Sequence, residues 1–127
     1  MPYALAFLVL PIVLHPGTQQ KMNSRTRHFL VWVNSNQHIK VGLAERVRAL
    51  VPYSREALTF LYQMHIVAIS AVDASLSIVG QLRQRRRRVL QPGDDTRACL
   101  GKSAVLGKWF ARVNSPATIY ASLGLMP

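Results

Sequence analysis

Acidic residues are scarce in this 127-residue chain: 5 Asp and Glu stand against 16 Lys and Arg, for a net charge of +11. The shortage leaves little basis for paired-carboxylate chemistry. Asp94 and Asp95 are adjacent, so their side chains diverge, and capping a helix N-terminus accounts for them. Cysteine is scarcer still. Cys99 stands alone, which excludes an internal disulfide and makes the cytoplasm the expected location. Long apolar runs are also missing. Tyr3–Leu14 falls far short of the roughly 20 residues that span a bilayer. It is interrupted by Pro11 and has neither a basic leader nor a small-residue cleavage site, so it is expected to be a buried core helix.

Catalytic and metal signatures are absent in the same way. His15, His28, His38 and His65 form no HxH or HxxxH pair, and Cys99 has no CxxC partner. No GxSxG elbow occurs. Gly101-Lys102-Ser103 matches the end of a phosphate-binding loop, but Thr96 stands where the first glycine belongs and no strand precedes it. A helix interior offers neither glycine freedom nor inward-pointing amides, so the match reads as coincidence. The chain is expected to be no enzyme, with no cofactor and no metal.

What is present is ample apolar material, 50% of residues, enough for one packed core. Tyr3–Leu14 predicts a helix stopping at His15-Pro16-Gly17, followed by a polar loop over Thr18–Ser24. Thr26–Val33 predicts a short buried helix or a strand, too short for periodicity to decide. Ile39, Leu43, Val47, Leu50 and Val51 share a helical face, and Pro52 is expected to end that helix. Ser54 is placed to cap a second helix with the face Ala57, Leu58, Leu61 and Met64. Ile66–Ser70 and Ser75–Val79, around Asp73, predict a hairpin.

Helix, turn, helix and hairpin in that order suggest an α+β, mostly helical chain with a winged helix-turn-helix-like core. That core is expected over residues 1–92. A C-terminal helical segment, 93–127, would pack on it, with a helix at Thr96–Val113 and a last one between Ser115-Pro116 and Gly124.

One feature stands out. Arg83, Arg85, Arg86, Arg87 and Arg88 place five guanidiniums in six residues. Residues 1–80 carry 7 basic and 3 acidic groups (+4), while residues 81–127 carry 9 and 2 (+7). Such a run gains most from an external polyanion, and nucleic acid, an acidic protein surface and plain solvent all stay open as its surroundings. With Arg55, these arginines are the candidate nucleic-acid contacts. Phe7, Leu10, Trp32, Tyr62, Trp109 and Tyr120 are the candidate partner contacts.

Four segments carry a family resemblance: LAFLVLPIVLHPGTQQ (5–20), TRHFLVWVNSN (26–36), LAERVRALVPYSREALTFL (43–61) and LGKWFARVNSPATIYASLGLMP (106–127). Together they resemble the middle component of three-component ABC-type ATPase systems, bacterial phage-defence gene sets related to Lamassu. At its start the chain departs from the family, whose members carry further residues before the Leu8–Pro11 segment. The resemblance implies a non-catalytic adaptor between an SMC-like or Rad50-like ATPase and an effector, with a nuclease the expected effector. It implies DNA contact through the complex and no membrane. The alternative is a stand-alone basic winged-helix DNA-binding regulator. Arg55, Thr59, Tyr62 and Gln63 are thin provision for base readout.

Overall fold

Helices dominate because most apolar residues recur at helical spacing, and their order along the chain is simple. The structure, a computed structural model, describes residues 1–23, 25–79, 93–113 and 115–126. A 3-10 turn at Tyr3–Leu5 leads into α1 (Ala6–Val13), followed by α2 (Pro16–Lys21), α3 (Phe29–Ser35) and a 3-10 turn at Gln37–Lys40. Next come α4 (Leu43–Gln63), strands β1 (Val67–Ser70) and β2 (Ser75–Ile78), α5 (Asp94–Phe110) and α6 (Pro116–Ser122). The architecture is α+β and mostly helical, as the sequence predicts. The hairpin is antiparallel and pairs Val67 with Ile78 and Ile69 with Leu76. Val67, Ile69, Leu76 and Ile78 therefore share one face, and Ala68, Ser70, Ser75 and Ser77 the other.

The main departure from expectation lies at Pro52. No turn interrupts the helix there; α4 runs through the proline for 21 residues. Pro52 removes one N–H and leaves the Arg48 carbonyl without its usual donor, at a cost of about 3 kcal/mol. The helix persists because Leu43 and Val47 before the proline, and Ser54, Leu58 and Leu61 after it, lie on one side. That side is packed against α1 and, near its end, β1. Leu43 is buried and Val47, Leu58 and Leu61 are half-buried; at about 1.5–3 kcal/mol for each complete burial, their partial burial together offsets a loss of that size. The helix-turn-helix expected at this point is thus replaced by one helix, and Ser54 sits mid-helix rather than at a cap. The DNA-regulator alternative loses the turn on which it depended.

Two smaller corrections follow local chemistry. Thr18–Ser24 was expected as a loop, yet Pro16–Lys21 is helical. His15 caps it, its Nδ1 accepting the Thr18 N–H at 3.1 Å, with Pro16 at the first helical position. Burial, and then the neighbouring Arg46, lower the His15 pKa, which keeps Nδ1 free to accept. Asp94 and Asp95 lie in the first turn of α5 beside the helix dipole, while Gly93 holds the cap position.

The core joins distant parts of the chain. Leu5, Leu8 and Ile12 from the N-terminal segment share one cluster with Phe29 and Trp32 of α3, Leu106, Trp109 and Phe110 of α5, and Ile119 of α6. Trp32 and Trp109 pack at a tilt of 37° with ring centroids 5.0 Å apart, and Phe29 meets Phe110 edge-on at 5.4 Å. The indole N–H of Trp32 donates to the Lys21 carbonyl (2.9 Å) and that of Trp109 to the Thr26 carbonyl (2.7 Å). The Tyr120 hydroxyl donates to the Ala4 carbonyl at 2.7 Å, and its burial raises the phenol pKa.

Both ends of the α4–hairpin unit are tied by backbone bonds. Met1–Tyr3 lies along β2, where the Leu76 N–H donates to the Met1 carbonyl (2.6 Å) and the Tyr3 N–H to that of Ala74 (2.7 Å). Hydrogen bonds from Ser70 and then Ser75 hold the Asp73 carboxyl below its ordinary range at the hairpin turn. At its C-terminus α4 closes with Ile66 N–H to Leu61 carbonyl (2.9 Å) and His65 N–H to Tyr62 carbonyl (3.0 Å), the pattern that favours glycine at the left-handed position. Here that position is His65, at φ 53°. His65→Gly should therefore raise stability by roughly 0.5–1 kcal/mol, read as a higher urea midpoint. A lower midpoint would mean that the imidazole makes a stabilising contact.

Candidate partner-docking surface

The side of α4 that carries the chain through Pro52 is only partly covered. Leu43 and Ser54 are buried on it, whereas Leu58 and Leu61 are half-buried. Between α1, α4 and the hairpin lies an open groove of about 640 Å³. Ala6, Val9 and Leu10 of α1 line one wall and Ser54, Ala57, Leu58 and Leu61 of α4 another. Val67, Leu76 and Ile78 close it. The lining is almost wholly apolar.

Two serines, Ser77 and Ser54, are the exceptions, and the buried one is Ser54. It is 4% exposed, and its Oγ has no hydrogen-bond partner. A buried hydroxyl left unpaired costs about 1–3 kcal/mol.

Two stripes on α4 border the groove. Tyr53 (four positions before Ala57), Phe60 (three after it) and Met64 (three after Leu61) flank it on one side, being i,i+3 and i,i+4 neighbours of its lining. All three are exposed, Tyr53 by 63% and Phe60 by 58%. On the other side Arg55 and Tyr62, three before and four after Leu58, are also exposed, and Arg48 continues their line one heptad earlier. Among the described residues the one ion pair is Arg97–Asp94, at 4.0 Å, so Arg48 and Arg55 have no acidic partner there. Ile78 and Val79, at the end of the hairpin, are exposed apolar residues as well. Exposed apolar surface of this extent is typical of interaction sites.

A model of the family described as ABC-three component (ABC-3C) system Middle Component 3 matches residues 1–127. The chain belongs to this family. It is therefore a component of a multi-subunit system, with the other subunits of that system as its partners. No curated protein and no solved structure matches it.

The residues singled out in the sequence of this middle component fall into three groups. Leu10 lines the groove, Phe7 packs edge-on against Tyr3 at 5.2 Å, and Tyr62 and Arg55 stand exposed on α4. Trp32, Trp109 and Tyr120, expected to meet a partner, are instead in the chain's own core, 1%, 2% and 6% exposed. Large aromatics with a polar tip serve cores and interfaces equally, and here each tip is satisfied by a backbone carbonyl of the same chain. Arg83, Arg85, Arg86, Arg87 and Arg88 lie outside the described residues.

Sequence reasoning missed Ser54 as a groove residue, along with Val9, Ile78 and the Tyr53–Phe60–Met64 stripe. The available signal was the unbroken phase of Leu43, Val47, Leu50, Ser54, Leu58 and Leu61 across the proline.

Several other polar side chains have structural roles. Gly101-Lys102-Ser103 lies inside α5, where Lys102 donates to the Met22 carbonyl and Ser103 Oγ to that of Cys99 (2.8 Å). Gln19 donates to the half-buried Cys99 sulfur at 3.4 Å. Among the described residues no group of three His, Cys, Asp or Glu side chains could hold a metal ion, and no helix is long and apolar enough to cross a membrane.

Proposed function

We propose that this middle component is a non-catalytic adaptor of a Lamassu-related anti-phage or anti-plasmid defence complex. It bridges an SMC-like ATPase to an effector, expected to be a nuclease, and contacts DNA through the arginine run at 83–88. The observation that supports the bridging role best is the large apolar surface on α4 and the hairpin. The support for DNA contact is the charge distribution, since five clustered guanidiniums exchange bound counterions for phosphates.

The test is co-expression of the ATPase and effector subunits of the same system with and without this chain. The two are expected to co-purify only when it is present. Equal recovery in its absence would overturn the adaptor role. On the assembled complex, serine at Arg85, Arg86, Arg87 and Arg88 should flatten the salt dependence of DNA binding by up to about 0.9 in log–log slope per lost contact. An unchanged slope with unchanged affinity removes DNA from the proposal.

A further inference from the structure

We infer that the groove between α1, α4 and the hairpin receives an amphipathic helix of another subunit, acidic along the edge that meets Arg48 and Arg55. The inference rests on the adaptor reading and specifies where and with what chemistry the docking occurs.

Dimensions favour a helix. From Ser54 to Leu61 the α4 wall rises about 10 Å, two helical turns, which matches the i to i+7 span of anchors that a helix lays into such a groove. The apolar lining supplies the burial. Ser54 lies at the floor of the groove, where its hydroxyl is buried beneath the apolar lining rather than offered to an occupant.

Charge selects the occupant. Arg55 borders the groove, and Arg48 continues its line one heptad before the lining, both without an acidic partner among the described residues. Glu45 and Glu56 sit on the side of α4 away from the groove, and Asp94 and Asp95 belong to α5. A second copy of this chain also carries a net charge of +11, so like charges disfavour self-association overall, whereas an acidic helix gains from the border.

The test measures affinity of the full chain for the purified ATPase subunit and, separately, the purified effector subunit. Ala57→Arg fills the groove from an exposed position at little helical cost, and should weaken binding to one of the two subunits at least ten-fold with an unchanged thermal melt. Arg55→Glu should weaken the same interaction several-fold and flatten its salt dependence. If the wild-type chain binds neither subunit, the adaptor reading itself fails. If it binds and Ala57→Arg binds equally well, the groove proposal alone fails. An Arg55→Glu variant that binds like wild type overturns the acidic occupant. Two further outcomes also overturn it: an Ala57-dependent dimer of the lone chain in sedimentation, or a lipid or other apolar small molecule found in the groove by native mass spectrometry.

Discussion

Pro52→Ala should raise the stability of this protein by about 2 kcal/mol. The proline lies in the middle of α4, so alanine restores an N–H that can donate to the Arg48 carbonyl and removes the ring from the helix interior, together worth about 3 kcal/mol. The unfolded chain gains freedom when proline is lost, which offsets about 0.4–1 kcal/mol. Pro52 is exposed, so no cavity enters the sum. Urea denaturation followed by helical circular dichroism gives the answer, with a higher midpoint at an unchanged slope expected. If the chain instead formed two helices with Pro52 in the turn between them, the substitution would destabilise or do nothing. The experiment therefore decides between a continuous helix and a helix-turn-helix.

Trp109→Ala should cost about 3–5 kcal/mol, the largest loss expected of any substitution considered for this chain. The indole is 2% exposed, packs against Trp32 and lies 6.2 Å from Phe29. Its removal leaves a cavity in the aromatic cluster and takes the donor from the Thr26 carbonyl. Against a total stability of 5–15 kcal/mol for a typical domain, the loss should lower the thermal midpoint on the order of 10 °C or more. A variant that melts like wild type but no longer binds its partner subunits would return Trp109 to the interface. Truncating Phe60 or Tyr53 should do the opposite, sparing the melt, since both side chains stand in solvent in the free chain.

Legibility in the sequence varied by element for identifiable reasons. The hairpin was readable because β-branched runs flank Asp73, with Ser75 and Ser77 alternating against Leu76 and Ile78, and the structure pairs those stretches in register from Val67 to Ser70. The stripe of Cys99, Val105, Leu106, Trp109, Phe110 and Val113 was readable as the inner face of the C-terminal helix because its period holds for four turns, and these residues are buried or packed against the core. Ser115-Pro116 and Gly124 bracketed α6, with Gly124 at φ 70°. α2 was missed because six polar and small residues carry no apolar period, although Pro16 after His15 was a usable start signal.

The groove was harder, because its walls are three segments distant in sequence. Val9, Leu58 and Ile78 each read as ordinary core positions when taken alone. An apolar residue on an amphipathic face announces that it will be covered, and says nothing of whether its own chain supplies the cover. The same ambiguity placed Trp32, Trp109 and Tyr120 at an interface when their own chain buries them.

By itself, the sequence determined the strongly periodic features: the faces of the longer helices, the hairpin, the surplus of positive charge and the membership in a subunit family. These depend on neighbours a few residues apart, where backbone sterics and side-chain spacing act directly. The tertiary structure alone decided whether Pro52 ends a helix or rides within one, because that balance sets a local loss of about 3 kcal/mol against burial supplied by α1 and β1. It alone decided which apolar faces are covered from within and which remain for a partner, because coverage depends on how much apolar surface the rest of the chain can bring to each face. α3, α5 and α6 enclose the aromatic cluster, whereas the described residues leave open the groove between α1, α4 and the hairpin, with an unpaired hydroxyl at Ser54.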